Sequence, residues 1–335
     1  RAASPSEYFV KAAHELWAPE RVRVLVTDEA RAKHGDRLRA QLPTVELIRI
    51  PSGKTTDELW ALFRVLDTEL RALGPDDGAV LDVTHGFRTQ PLFAMGVVSH
   101  LRSTGWRNDL QLVYGAFEAS IESRDGTLHS PIWDLTTLAE VVEWGLGLQI
   151  MLETGRTNVV SEAVERRGRS ASRSWASSGR VGSAPQLTTL AKSMRTFGDA
   201  LETLRIGALV GSLVVGGKAR ESSVSSLRWA LSKVRDEVEM SLPAIVRTLD
   251  DLARELSVLD GGPLDTLACT EGHRRLVELA RLYLRLGRYP ETLAVVREAM
   301  VLRHATPEAG APGDHFDKEA NDRAARALSA LKVPI

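Results

Sequence analysis

Four short strand-like segments, the β-branched-rich residues 22–27, then 45–50, the apolar run 79–83 and 110–117, are separated by stretches with helical apolar spacing, and this alternation decides the fold class of the first part of the chain. Runs of this length bounded by turn residues read as buried strands. A strand that returns parallel to its neighbour needs a long crossover, usually a helix. The helical stretches are residues 8–16, 28–42, 55–73 and 92–101; Leu38 and Leu42, four apart, share one side of the second, and Thr55 or Thr56 can cap the third. The expected class is α/β, with a parallel, doubly wound sheet. Residues 120–130 form a polar loop around the turn signal Arg124-Asp125-Gly126, and residues 131–136 read as extended. From Thr137 onward the pattern is helical: 138–152, 158–166, 187–205, 206–216, 218–240, 242–259, 264–286, 290–303 and 316–331. Pro243, Gly261-Gly262-Pro263, Gly287 and Pro312 punctuate it, and no strand is expected in residues 187–335.

A length of 335 residues accommodates two cores. The expected division is 1–136 as the sheet-containing domain, 137–185 as connecting helices and a basic Ser/Gly/Arg-rich linker, and 186–335 as an all-α domain. A net charge of -1 neither requires nor excludes nucleic acid, because a local basic surface can sit on a neutral protein. One cysteine, Cys269, excludes an intrachain disulfide and an all-cysteine metal site, and fits a reducing compartment. His34, His100, His273 and His315 form no recognisable cluster, so no metal is expected. The most apolar stretch, residues 206–215, is far shorter than the roughly 20 residues of a membrane span and reads as a buried helix. Residues 1–7 carry no apolar core of a signal peptide, so a cytoplasmic location without membrane contact is expected. In residues 166–185, Arg166, Arg167, Arg169, Arg173 and Arg180 are interspersed with Ser, Gly and Trp175. That composition suits a solvated linker, or a basic arm for nucleic-acid phosphates.

The turn between the third strand and the following helix carries the densest chemistry: Thr84-His85-Gly86-Phe87-Arg88-Thr89. In an open α/β sheet such a turn lies beyond the carboxyl end of a strand, where ligands bind, and the helix N-terminus offers unpaired N–H groups to an anion. Gly86 lets a backbone approach closely. Thr84, His85, Arg88 and Thr89 supply two hydroxyls, an imidazole and a guanidinium, a set suited to phosphate and ribose. Local physics also allows a plainer reading, with Thr89 as a helix cap, Gly86 as a turn and Arg88 in solvent.

The decapeptide from Asp82 to Pro91 resembles the ligand-binding turn of the CARF domain in CRISPR-associated CARF-HEPN proteins. Similarity continues in Thr27-Asp28-Glu29-Ala30, Ile50-Pro51-Ser52-Gly53-Lys54, Tyr114-Gly115-Ala116-Phe117-Glu118 and Pro131-Ile132-Trp133-Asp134-Leu135-Thr136, in the family's order over residues 22–144. The resemblance implies a Rossmann-like sensor of cyclic oligoadenylates, with cyclic tetra-adenylate as the expected ring. Its contacts would come from Thr84, His85, Gly86, Phe87, Arg88 and Thr89, with Thr27, Gly53, Lys54 and Tyr114 contributing. Such domains open with a strand and a small-residue loop that are not found here; because the sequence starts at Arg1 rather than Met, it is expected to be part of a longer product.

Arg297 and His304 are seven apart on the last long helical segment before Pro312. At about 100° per residue they lie within about 20° of one face and about 10.5 Å apart along the axis. The pattern resembles the Arg-then-His signature of the HEPN ribonuclease module, at its long limit, with Glu298 where many relatives carry an amide. The resemblance implies metal-independent cleavage of single-stranded RNA at a composite site of a homodimer or higher even-numbered oligomer, without cofactor. The ribose 2′-OH would attack the adjacent phosphate, with His304 in proton transfer and Arg297 stabilising charge. Structurally, Arg303 and His304 also suit a helix C-terminus, where cations favour the macrodipole. Ala280, Tyr283, Gly287, Tyr289 and Ala294 resemble half a tetratricopeptide unit, but no second copy follows at about 34 residues.

The expected function is therefore a cyclic oligoadenylate-activated endoribonuclease of type III CRISPR antiviral defence. The alternative is a non-catalytic sensor whose helical half binds a partner; slow cleavage of the ligand by the first domain is a third. A dinucleotide-dependent oxidoreductase would carry G-x-G-x-x-G after a strand, which this chain lacks.

Overall fold

The computed structural model describes residues 6, 8–85, 90–211, 213–215, 218–261, 267, 270–305 and 326, with backbone alone at 213–215, 218–220, 270 and 304–305. The chain forms two compact units, Arg1–Val142 and Glu143–Ile335.

The first unit runs α1 (Phe9–Trp17), β1 (Arg23–Val26), α2 (Asp28–Gln41), β2 (Glu46–Arg49), α3 (Thr56–Arg71), β3 (Gly78–Asp82), α4 (Gln90–Ser103) and β4 (Asp109–Gly115). A single 3-10 turn (Phe117–Ala119), a small hairpin of β5 (Ile121–Glu122) and β6 (Leu128–His129), and β7 (Ile132–Asp134) follow. The helix starts agree with their local chemistry. Thr27 caps α2 by accepting the Ala30 N–H at 3.2 Å, and Thr55 caps α3 by accepting the Glu58 N–H at 3.2 Å. Acidic pairs, Asp28-Glu29 and Asp57-Glu58, occupy the two first turns, where the macrodipole favours them.

Strand β1 pairs in parallel with β2, and β3 in parallel with β4. Strand β7 runs antiparallel on the other edge of β4, with Tyr114 opposite Trp133. The alternation thus yields the expected parallel pairs, but not one continuous sheet: among the described residues no ladder joins β1 to β3. Side chains hold the layers together instead. Leu62, Leu66 and Leu70, at four-residue spacing on α3, and Val97, Val98 and Leu101 on α4 pack with Ile50, Trp106 and Leu110, and Leu25, Ala79 and Leu81 from β1 and β3 join the same core.

Helix α5 (Thr136–Thr154) contains the division between the units. The second unit continues with α6 (Asn158–Ser177), α7 (Leu187–Glu202), α8 (Ile206–Val210), a hairpin of β8 (Leu213–Val215) and β9 (Lys218–Arg220), α9 (Ser223–Ser241), α10 (Pro243–Ser257), α11 (Thr270–Arg285) and α12 (Tyr289–Ala305). Pro243 stands at the start of α10, and Gly287, at φ 70°, closes α11 as the Arg288 N–H returns to the Tyr283 carbonyl at 2.9 Å.

Three sequence expectations change here. The expected linker is helical as far as Ser177: α6 is anchored by an apolar face that begins before it, and within it by Gly168, which packs closely against α7. Val160, Ala163, Val164 and Gly168 bury one face of α6, and buried Arg166 pairs with Glu143. The helix expected over 206–216 stops at Val210, and the β-branched pair Val214-Val215 enters a hairpin whose two strands are separated by Gly216-Gly217 in the sequence. Among the described residues that hairpin is also the exception to an all-α second half. The segment 316–331 lies outside the described residues except Arg326.

Glycines set how closely α5, α6 and α7 approach. A Cβ on Gly147 would lie 2.8 Å from the Val160 Cα, one on Gly168 2.8 Å from the Thr188 nitrogen, and one on Gly198 2.1 Å from the Thr157 Oγ1. Gly145, two residues and so about 200° from Gly147 on the same helix, faces open space. In urea unfolding, Gly168→Ala is therefore expected to lose about 1–3 kcal/mol through backbone overpacking, whereas Gly145→Ala gains about 0.5–1 kcal/mol by removing a helix-interior glycine.

Candidate functional site

The site is built from the carboxyl end of β3. Asp82 ends the strand half-buried, and its Oδ1 accepts the backbone N–H of Thr84 at 2.8 Å, an Asx-type turn that bends the chain away from the strand. The Thr84 hydroxyl donates to the same Oδ1 and accepts the Gly115 N–H at 2.7 Å. One hydroxyl therefore ties the turn to its own strand and to β4. Gly115 leaves space for Phe9 of α1: a Cβ there would lie 2.7 Å from the Phe9 ring. Burial raises the Asp82 carboxyl above its ordinary range, against the two bonds from Thr84 and the charge of His85.

Beyond this lock the chain opens to solvent. His85 is exposed, and its ring lies 5.7 Å from that of Phe117 at 30°. The next four predicted contacts, Gly86, Phe87, Arg88 and Thr89, lie outside the described residues. Tyr114 donates its hydroxyl to Glu118 at 3.0 Å, a bond that raises the phenol above its usual value, and its ring lies 6.1 Å from Trp133.

Thr27 and the pair Gly53 and Lys54 follow the carboxyl ends of β1 and β2. Their contacts are local. Thr27 serves as the α2 cap, and Gly53 adopts φ 75°, a left-handed conformation that suits glycine. The Glu58 carboxylate accepts the Lys54 N–H at 2.8 Å and the Ser52 hydroxyl at 3.1 Å, which holds it below the usual range and fixes the loop that presents exposed Lys54. The structure thus brings Thr84, His85 and Tyr114 to neighbouring ends of β3 and β4, and Thr27, Gly53 and Lys54 to the ends of the other pair.

On α12, Arg297 is exposed and hydrogen-bonds Glu298 at 2.8 Å. His304 falls on the same helix; its side chain is outside the described residues. Among the described residues no group of three or more His, Cys, Asp or Glu side chains could hold a metal ion, and no helix is long and apolar enough to cross a membrane.

Asp82 and Phe117 fall in segments that carry the resemblance, but neither is among the contacts expected from it. The Asp-x-Thr spacing at the end of a strand is a readable Asx-turn signal for the first. The second depends on a contact between residues 32 positions apart, which no local pattern reveals.

No family model matches the chain. Over 116 residues, 35% of its length, it is 27% identical to a protein of Methanocaldococcus jannaschii named CRISPR-associated protein MJ1674. The similarity is to a CRISPR-associated protein. The chain covers 18% of that relative's length.

Two measurements check the lock. Thr84→Val leaves the Gly115 N–H without its acceptor and is expected to cost about 1–3 kcal/mol in urea unfolding, whereas Thr84→Ser, which keeps the hydroxyl, costs less. Because the folded state holds a proton on Asp82 more tightly than the unfolded chain, the stability this carboxyl contributes is full below about pH 4 and is lost as pH rises through its raised value. Asp82→Asn, which keeps an oxygen for Thr84, is expected to unfold at a higher temperature than the natural chain at pH 7, with the difference vanishing near pH 4.

Proposed function

We propose that the chain is a CRISPR-linked sensor and effector: the first unit binds a cyclic oligoadenylate beyond the ends of β3 and β4, and the second cleaves single-stranded RNA without metal as a two-fold dimer. The observation that carries the reading is the outer face of α12. Tyr289, Leu293, Val296 and Met300 are exposed, Leu293 by 70%, while Val295, Ala299 and Leu302 on the other side are buried. Their 4-3-4 spacing is that of a helix-pairing seam, and a second copy of the same helix satisfies it in itself. At about 100° per residue the four fall within about 60° of one another, and Arg297 and His304 share a phase about 60° to one flank of that stripe. Pairing two such helices is expected to bring Arg297 and His304 of both copies to one shared interface. Arg297 would stabilise charge on the phosphorane while His304 moves a proton. The partial similarity to a CRISPR-associated protein and the strand-end turn resembling a CARF site support the placement of this chemistry under ligand control.

A non-catalytic reading has one observation in its favour. The Arg297 guanidinium is paired with Glu298, which opposes its use on a phosphate.

Fluorogenic RNA cleavage in EDTA, with cyclic tri-, tetra- and hexa-adenylate added separately, tests the proposal. One ring is expected to switch cleavage on, and Arg297→Ala and His304→Ala each to reduce it by at least about 100-fold with ligand affinity unchanged. Leu293→Asp is expected to give a monomer by light scattering that binds ligand and does not cut RNA. If a ring binds and no RNA is cut, the non-catalytic reading replaces the ribonuclease.

A further inference from the structure

We propose that Phe117 is a nucleobase-stacking residue of the first unit, an inference that rests on the reading of that unit as a cyclic oligonucleotide sensor. Phe117 stands two residues beyond β4, and His85 three beyond β3, at the carboxyl ends of two adjacent parallel strands. Ligands of open α/β sheets bind at such ends.

The ring is 53% exposed, while the backbone on either side of it is hydrogen-bonded. Ala116, fully buried, donates its N–H to the Pro131 carbonyl at 2.9 Å. The Phe117 carbonyl accepts both the N–H and the hydroxyl of Ser120, at 3.1 and 2.6 Å, and the Ser120 hydroxyl lies 2.7 Å from that of Ser130. A large apolar ring is thus held toward water by a rigid frame. Its hydrophobic value is unrealised in the free protein, and no reorganisation is needed to use it.

His85 defines which side is available. A base sandwiched between two rings needs roughly 7 Å between them, twice an ordinary van der Waals contact of about 3.5 Å, and the 5.7 Å separation is too small. With no room for a base between the two rings, the base stacks on the side of Phe117 turned away from His85. Every base has a π-face, so Phe117 supplies affinity rather than base identity, and a purine, with the larger face, gains most.

Calorimetric titration of the natural chain, Phe117→Ala, Phe117→Leu and Phe117→Trp with cyclic tri-, tetra- and hexa-adenylate tests this. Phe117→Ala is expected to weaken the ring that binds by about 5- to 100-fold. Phe117→Trp keeps the affinity, and Phe117→Leu, which restores bulk without a π-face, recovers little of it. Unchanged thermal unfolding shows that the exposed position has no folding role. If Phe117→Ala binds as the natural chain does, or Phe117→Leu restores full affinity, or the only change is in oligomeric state, the stacking assignment is wrong while the sensor reading stands. If the natural chain binds none of the three rings, the sensor reading fails and the assignment falls with it.

Discussion

The hydroxyl of Thr84 is the constraint on which the candidate site depends. Two parallel strands of five and seven residues cannot by themselves fix a turn beyond their ends. The hydroxyl does so by donating to Asp82 and accepting from Gly115, two bonds made by one small side chain in a half-buried place. Each partner then constrains another element. Asp82 also holds the Thr84 backbone, and the missing side chain of Gly115 admits Phe9, so that α1 is fitted against β4. The geometry of His85 and Phe117 in solvent follows from what is fixed beneath them. A raised carboxyl at Asp82 is the cost of burying the acceptor of this network.

Helix α12 presents the opposite situation. One side is satisfied within the unit by Val295, Ala299 and Leu302, and the other displays Tyr289, Leu293, Val296 and Met300. Scattered apolar residues on a surface need no explanation, but four on one stripe at pairing intervals do. Arg297, at its flank, is the residue proposed to act on a phosphate and is engaged by Glu298. Those two facts pull the functional reading of this helix in different directions.

Much of the first unit was legible because its strands are short and rich in Val, Leu and Ile, and two of its helices begin with threonine caps followed by acids, so local preference and tertiary placement agree. The break between β1 and β3 was not legible, since hydrogen-bond pairing is a relation between distant segments. The second unit misled where composition and packing diverge. Gly168 and the serines of α6 look like a linker, yet the glycine is there because α7 leaves no room for a Cβ. In the same way Val214 and Val215 look like the tail of a buried helix, and the Gly-Gly that follows them was the overlooked turn signal. At the candidate site the residue types were readable, but the engagement of Thr84 with a strand 31 positions away was not.

The glycine contacts of α5, α6 and α7 also bear on how this part of the molecule can move. Where side chains separate two helices, rotamer changes absorb small slides; where backbones meet at Gly147, Gly168 and Gly198, little side-chain cushion remains. Such a trio resists creeping past one another by fractions of an ångström. It holds its register as a stiff block, or it jumps to a new one when a different set of small residues comes into line, so a displacement applied to one helix is passed on as a step rather than dissipated.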